Sequence, residues 1–102
     1  MFVRIARTVE LVPGFRRLVR HGRHDILALE DQGQIYLIDN RCPHQGFPLD
    51  RGAQQGPYLT CPRHGFRFNM ETGDCSQSRS CQLTRYQASY DGQWLGVDLP
   101  DG

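Results

Sequence analysis

With 102 residues and a mass of 11.7 kDa, the chain has room for one modest hydrophobic core and none for a second catalytic module. It contains no run of about 18 apolar residues, which excludes a membrane-spanning helix. No apolar leader opens it, so a soluble, cytoplasmic protein with no membrane partner is expected. The formal net charge of +1 hides an asymmetry: residues 1–24 hold six arginines against Glu10, a net +5, and the remainder holds six arginines against ten acids, a net −4. Such a strip can dock an acidic partner or nucleic acid. Lacking interleaved aromatics, it reads as a solvated arginine-rich face, and no nucleic-acid partner is expected.

Short strand-like runs alternate with turn signals, and no long segment has a 3.6-residue period, so the fold class is mainly β. Phe2 to Val9 reads as a first strand and Pro13-Gly14 as a turn. Phe15 to Val19 and Ile26 to Leu29 follow as strands, with a charged turn, Arg20 to Asp25, between them. That turn contains His21 and His24, the only histidines besides His44 and His64, and is expected to be solvated rather than a mononuclear iron site. After an Asp31-Gln32-Gly33 turn, Ile35 to Ile38 is continuously apolar, as in a strand buried on both faces. Tyr58-Leu59-Thr60 is a short strand, Phe66-Arg67-Phe68 has alternating faces, and Met70 to Gly73 reverses the chain. Near the C-terminus Tyr86, Ala88 and Tyr90 alternate with polar residues, Asp91-Gly92 signals a hairpin, and Leu95, Val97 and Leu99 form the returning face. Trp94 and the tyrosines read as packing residues.

Two loops stand out. Cys42-Pro43-His44 is followed, after an interval of sixteen residues, by Cys61-Pro62-Arg63-His64, and each has a glycine close behind, Gly46 and Gly65. Two thiolates and two imidazoles on tight loops are a metal-ligand set. The residues alone leave two centres open, a tetrahedral structural zinc and a binuclear iron-sulfur cluster.

The wider pattern resembles the Rieske family, whose members carry Cys-x-His and Cys-x-x-His on two loops of a small β-domain. Cys42-Pro43-His44-Gln45-Gly46-Phe47-Pro48-Leu49 and Cys61-Pro62-Arg63-His64-Gly65-Phe66-Arg67-Phe68 are similar to the two loops, and Glu71-Thr72-Gly73 to the turn after them. The resemblance implies one domain over residues 1–102, a small antiparallel β-barrel or sandwich with cluster-binding loops at about 41–50 and 61–68 at one end. It implies one [2Fe-2S] cluster per chain, with Cys42 and Cys61 on one iron and His44 and His64 on the other. It implies a low-potential ferredoxin with no catalytic residues, moving single electrons from a flavin reductase to a terminal oxygenase. A subunit of a larger oxidoreductase, such as a nitrite reductase small subunit, is the alternative within the family.

High-potential members carry a further cysteine in each loop and hydroxyls bonded to the cluster sulfurs; the matching positions here are Phe47, Arg63, Phe66 and Phe68. Gly46 and Gly65 are expected to let backbone amides approach the sulfides or to serve as ordinary turn glycines. Phe47, Pro48 and Leu49 are expected to shield the cluster from water, and Arg63 is a candidate partner contact. Cys75 and Cys81, outside both motifs, are expected to be free thiols rather than a disulfide. The segment from Asp74 to Cys81 lacks the proline that the family usually has in its third, covering loop.

Overall fold

A computed structural model describes residues 1–43, 46–63, 65–77 and 81–100. Ten strands run in chain order: β1 (Phe2–Arg7), β2 (Arg16–His21), β3 (His24–Asp31), β4 (Gln34–Asp39), β5 (Ala53–Gln55), β6 (Tyr58–Thr60), β7 (Arg67–Asn69), β8 (Arg85–Tyr86), β9 (Ser89–Asp91) and β10 (Trp94–Asp98). They form three antiparallel sheets, ordered β1-β10-β9, β2-β3-β4-β8 and β5-β6-β7. The mainly β, antiparallel class expected from the sequence is what forms.

The four-stranded sheet is the middle layer, and the two-residue strand period explains why. Ile26 and Ala28 of β3 and Leu37 of β4 face one buried cluster, with Val3, Ile5, Leu95 and Val97 from the β1-β10 sheet. Leu27 and Leu29 of β3 and Ile38 of β4 face a second, with Leu59, Phe68, Cys42 and Cys61. The register pairs Leu27 with Ile38 and Ala28 with Leu37, so cross-strand neighbours share a face and pack together. A sheet buried on both sides needs an unbroken apolar run, which β3 supplies from Ile26 to Leu29. In β4 the double burial holds only for Leu37 and Ile38; Ile35 and Tyr36 are half-buried.

Glu30, 9% exposed, is the buried acid of this layer. Its two carboxylate oxygens accept the Gly14 N–H at 3.0 Å and the Gly33 N–H at 2.8 Å. One carboxylate thereby satisfies the turns before β2 and after β3, as a buried charge requires.

Several local expectations are corrected. The first strand ends at Arg7 rather than Val9, because Thr8–Glu10 turns into a short 3-10 segment closed by the Arg7 N–H donating to Glu10 Oε2 at 2.8 Å. Tyr86, Ala88 and Tyr90 do not share one strand: β8 pairs with β4 in the middle sheet, β9 pairs with β10 in the outer sheet, and Tyr90 is exposed. The hairpin turn is Gly92-Gln93, with Asp91 the last residue of β9, paired to Trp94. Trp94 is half-buried, with the guanidinium groups of Arg4 and Arg7 at 4.7 and 5.5 Å from its ring centroid. No helix among the described residues is long and apolar enough to cross a membrane.

Candidate metal centre

β4 ends at Asp39, and the chain enters the first loop through Asn40, 4% exposed. The Asn40 N–H donates to the Asp25 carbonyl at 2.8 Å, fixing the loop entrance to β3. Its Oδ1 accepts the Leu49 N–H at 2.9 Å and its Nδ2 donates to Asp50 Oδ1 at 3.2 Å, so the same side chain closes the loop exit. Arg16 then holds the segment beyond that exit: Nη1 donates to the carbonyls of Asp50 at 3.0 Å and Gly52 at 2.8 Å, and Nη2 to Gln54 Oε1 at 3.3 Å. The second loop is the connection between β6 and β7, which pair across it with Thr60 opposite Arg67.

Inside, the two loops share one backbone frame. The Cys42 N–H donates to the Phe47 carbonyl at 2.7 Å, and the Gly46 N–H returns to the Cys42 carbonyl at 2.6 Å. In the second loop the Cys61 N–H donates to the Phe66 carbonyl at 2.7 Å, and the Gly65 N–H to the Cys61 carbonyl at 3.0 Å. Cysteine, glycine four residues on and phenylalanine five residues on thus occupy matching places, and the motifs differ in whether histidine is second or third after cysteine.

The frame gives both glycines a turn role. Gly46 and Gly65 have φ of 77° and 71°, and a Cβ at either would meet no protein atom within 4 Å. Their requirement is the left-handed turn, which glycine adopts at least cost, and no close protein contact adds to it.

Cys42 and Cys61, each 1% exposed, lie in one apolar cluster with Leu49, Leu59, Phe68 and Met70. His44 and His64, the expected nitrogen donors, lie outside the described residues. Of the expected shield, Leu49 is fully buried, Phe47 half-buried and Pro48 exposed, so Leu49 does most of the sealing. Two buried thiols held by matching frames in one apolar cluster fit the sulfur half of an iron-sulfur donor set, for which thiolate is the natural ligand.

The other two cysteines also lie beside this cluster. Cys75 and Cys81 are free thiols, half-buried, and pack against the same cluster. Burial, with the neighbouring sulfurs of Cys75 and Cys42 adding to it, pushes the Cys81 thiol up to about 11. The proline-free segment before Cys81 is held down by hydrogen bonds: the Ser76 N–H donates to the Arg67 carbonyl at 2.9 Å. Gln77 straddles Phe66, accepting the Arg67 N–H at 3.1 Å and donating to the Gly65 carbonyl at 3.3 Å. Residues 78–80 lie outside the described residues.

The arginine-rich N-terminal strip is only partly the solvated face expected. Arg16 anchors the exit of the first loop, and Arg17 Nη2 pairs with Glu10 Oε1 at 2.8 Å. His24 is no solvated turn residue: its Nδ1 is 3.2 Å from the Tyr86 hydroxyl, ring edge to ring face. Asn40, Arg16 and Gln77 are not singled out by the sequence. A polar residue immediately before a ligand loop is a usable signal for Asn40; Arg16 and Gln77 act at long range and carry none.

The profile of the Rieske [2Fe-2S] domain family matches residues 1–88. The ferredoxin component of the naphthalene 1,2-dioxygenase system of Pseudomonas aeruginosa is 30% identical over 76 residues, covering 74% of this chain and 73% of that protein. Apoptosis-inducing factor 3 of Mus musculus is 34% identical over 70 residues, 69% of this chain; the match spans only 12% of that relative's length. Among solved structures, the ferredoxin of carbazole 1,9a-dioxygenase from Nocardioides aromaticivorans IC177 superposes with a TM-score of 0.81 at 26% identity, over 94% of this chain and 95% of that one.

Proposed function

The chain belongs to the Rieske [2Fe-2S] domain family, and from that premise we propose that residues 1–102 form a one-electron carrier that performs no substrate chemistry. Its donor is a flavin reductase, its acceptor a terminal oxygenase, and its compartment the cytoplasm. The observation that carries this reading is the pair of buried cysteines, Cys42 and Cys61, in matching loop frames and one apolar cluster. Full-length relatives of the ferredoxin kind support it, since the match covers 73% of the naphthalene dioxygenase ferredoxin.

Cys42 and Cys61 would hold one iron as thiolates, and His44 and His64 would hold the other through ring nitrogens. When bound, the cluster supplies a single-electron change. Two thiolates and two neutral imidazoles bring two negative charges where four thiolates bring four, so in a dry site accepting an electron costs less. On each histidine ligand the ring nitrogen not bound to iron would be able to hold or release a proton according to the oxidation state, which would tie the potential to pH. Leu49, Leu59 and Phe68 exclude water from the sulfur side. Phe68 offers no hydroxyl to a sulfide, so the reduced state lacks a stabilising hydrogen bond and the potential falls toward the low end of the family's range.

Purified protein should be red-brown and contain iron and acid-labile sulfide in equal amounts. Colourless protein carrying one zinc per chain would overturn the reading.

A further inference from the structure

Between the two loops lies a cleft lined by Phe47, Pro48, Asp50, Arg51, Pro62 and Arg63. Its floor is largely apolar, and its charged members are two exposed guanidinium groups and one carboxylate. That carboxylate is already engaged, since Asp50 Oδ1 accepts from Asn40 Nδ2. The basic N-terminal segment is folded to the same end: Arg41 Nη2 donates to the Arg23 carbonyl at 3.3 Å, seating the β2-β3 turn at the entrance of the first loop. Among the described residues no carboxylate pairs with Arg23, Arg41, Arg51 or Arg63; the arginines in ion pairs are Arg17 with Glu10 and, loosely at 3.8 Å, Arg20 with Asp25. A chain of net charge +1 therefore gathers unpaired positive charge around its candidate metal centre.

We propose that this cleft is the docking surface for the redox partner, and that the partner presents carboxylates around a protruding apolar side chain. The inference rests on the electron-carrier reading and adds the chemistry of the partner's face. Unpaired guanidinium groups steer an acidic surface from a distance and then grip carboxylates in forked pairs. The floor of Phe47, Pro48 and Pro62 supplies short-range apolar contact at the centre of such an interface. An acidic face seated there lies against both ligand loops, so docking and electron transfer use one surface. Arg51 and Arg63 are the specificity-determining residues.

The test uses the full, cluster-loaded chain, reduced with dithionite and mixed in a stopped-flow instrument with two small oxidants, anionic cobalt(III)-EDTA and cationic cobalt(III) hexaammine. Raising ionic strength from about 0.01 M to about 0.1 M shortens the screening length from ~30 to ~10 Å. The anionic reaction should then slow about tenfold and the cationic one quicken. Arg51→Glu, which leaves the stacked Arg63 in place, should weaken both charge effects at low salt with the visible spectrum retained. Arg51→Glu with Arg63→Glu should invert them, each rate being compared at the driving force set by that variant's own midpoint. Arg4→Glu with Arg7→Glu on the outer sheet, a charge change equal to that of the double variant, should have a much smaller effect. A glutamate homopolymer should compete with the anionic oxidant. Overturning results are rates that ignore oxidant charge, equal effects of the two double variants, or competition by single-stranded DNA but not by polyglutamate. Protein without iron and sulfide sinks the carrier reading itself, a failure distinct from a loaded cluster indifferent to charge.

Discussion

The guanidinium of Arg63 lies 4.8 Å from the centroid of the Phe47 ring, so the second ligand loop is stacked on the first. Among the described residues no strand ladder joins the two loops directly; the β5-β6-β7 sheet meets the middle sheet through buried side chains and through the hydrogen bonds of Gln54 with Arg16 and the Glu30 carbonyl. Replacing Phe47 with leucine keeps an apolar side chain but removes the ring face. Urea unfolding should show a loss of about 0.5–1 kcal/mol, the worth of an exposed cation-π contact, and the visible absorption should bleach faster in air. Bleaching at the original rate would mean that the stacking does not hold the loops together.

Asn40 closes the first loop from both ends. Asn40→Ala leaves the Leu49 N–H, whose residue is fully buried, without its partner, at a cost of about 1–3 kcal/mol. The variant should unfold at lower urea and retain less iron per chain, and Asn40→Asp should not restore the wild-type midpoint, because it replaces the Nδ2 donor with a second carboxylate facing Asp50. Full iron content and an unmoved urea midpoint in the alanine variant would refute the role assigned to this side chain.

Glu10 sets a dependence on acid. The hydrogen bond from Arg17, and after it that from the Arg7 N–H, hold its carboxyl below the usual carboxylate value. A depressed value means the contribution to stability is present above the unfolded-state pKa of about 4.3 and is lost as pH falls through the folded one. Thermal unfolding of the wild type should therefore weaken more between about pH 5 and about pH 3 than that of Glu10→Gln. Parallel curves for the two proteins would show that the pair carries no pH-dependent stability.

The histidine half of the donor set is tested by redox titration. The midpoint should lie near the low end of the family's range, roughly −150 mV, and fall further at alkaline pH. His64→Cys should lose the cluster or lower its midpoint, because a thiolate adds negative charge where a neutral imidazole stood. A clearly positive midpoint would contradict the low-potential reading, and a His64→Cys variant with the original spectrum and potential would remove His64 from the ligand set.

What could be read from the chain was chemistry carried by near neighbours. Cys-x-His and Cys-x-x-His put donors of two kinds on single loops, Asp31-Gln32-Gly33 spelled a turn, and the apolar run from Ile35 to Ile38 declared a strand, although only Leu37 and Ile38 of it are fully buried. Each of these signals lies within a few residues, where backbone geometry and side-chain period act directly. Tertiary structure decided the rest. Asn40 bridging to Leu49, Glu30 reaching back to Gly14, Arg16 reaching Gly52 and Cys81 lying beside Cys42 join residues from 9 to 36 or more positions apart, and the change of sheet between β8 and β9 is set by their partners β4 and β10. Such partners are chosen by which surfaces the packed layers bring together, and no local pattern of residues records that choice.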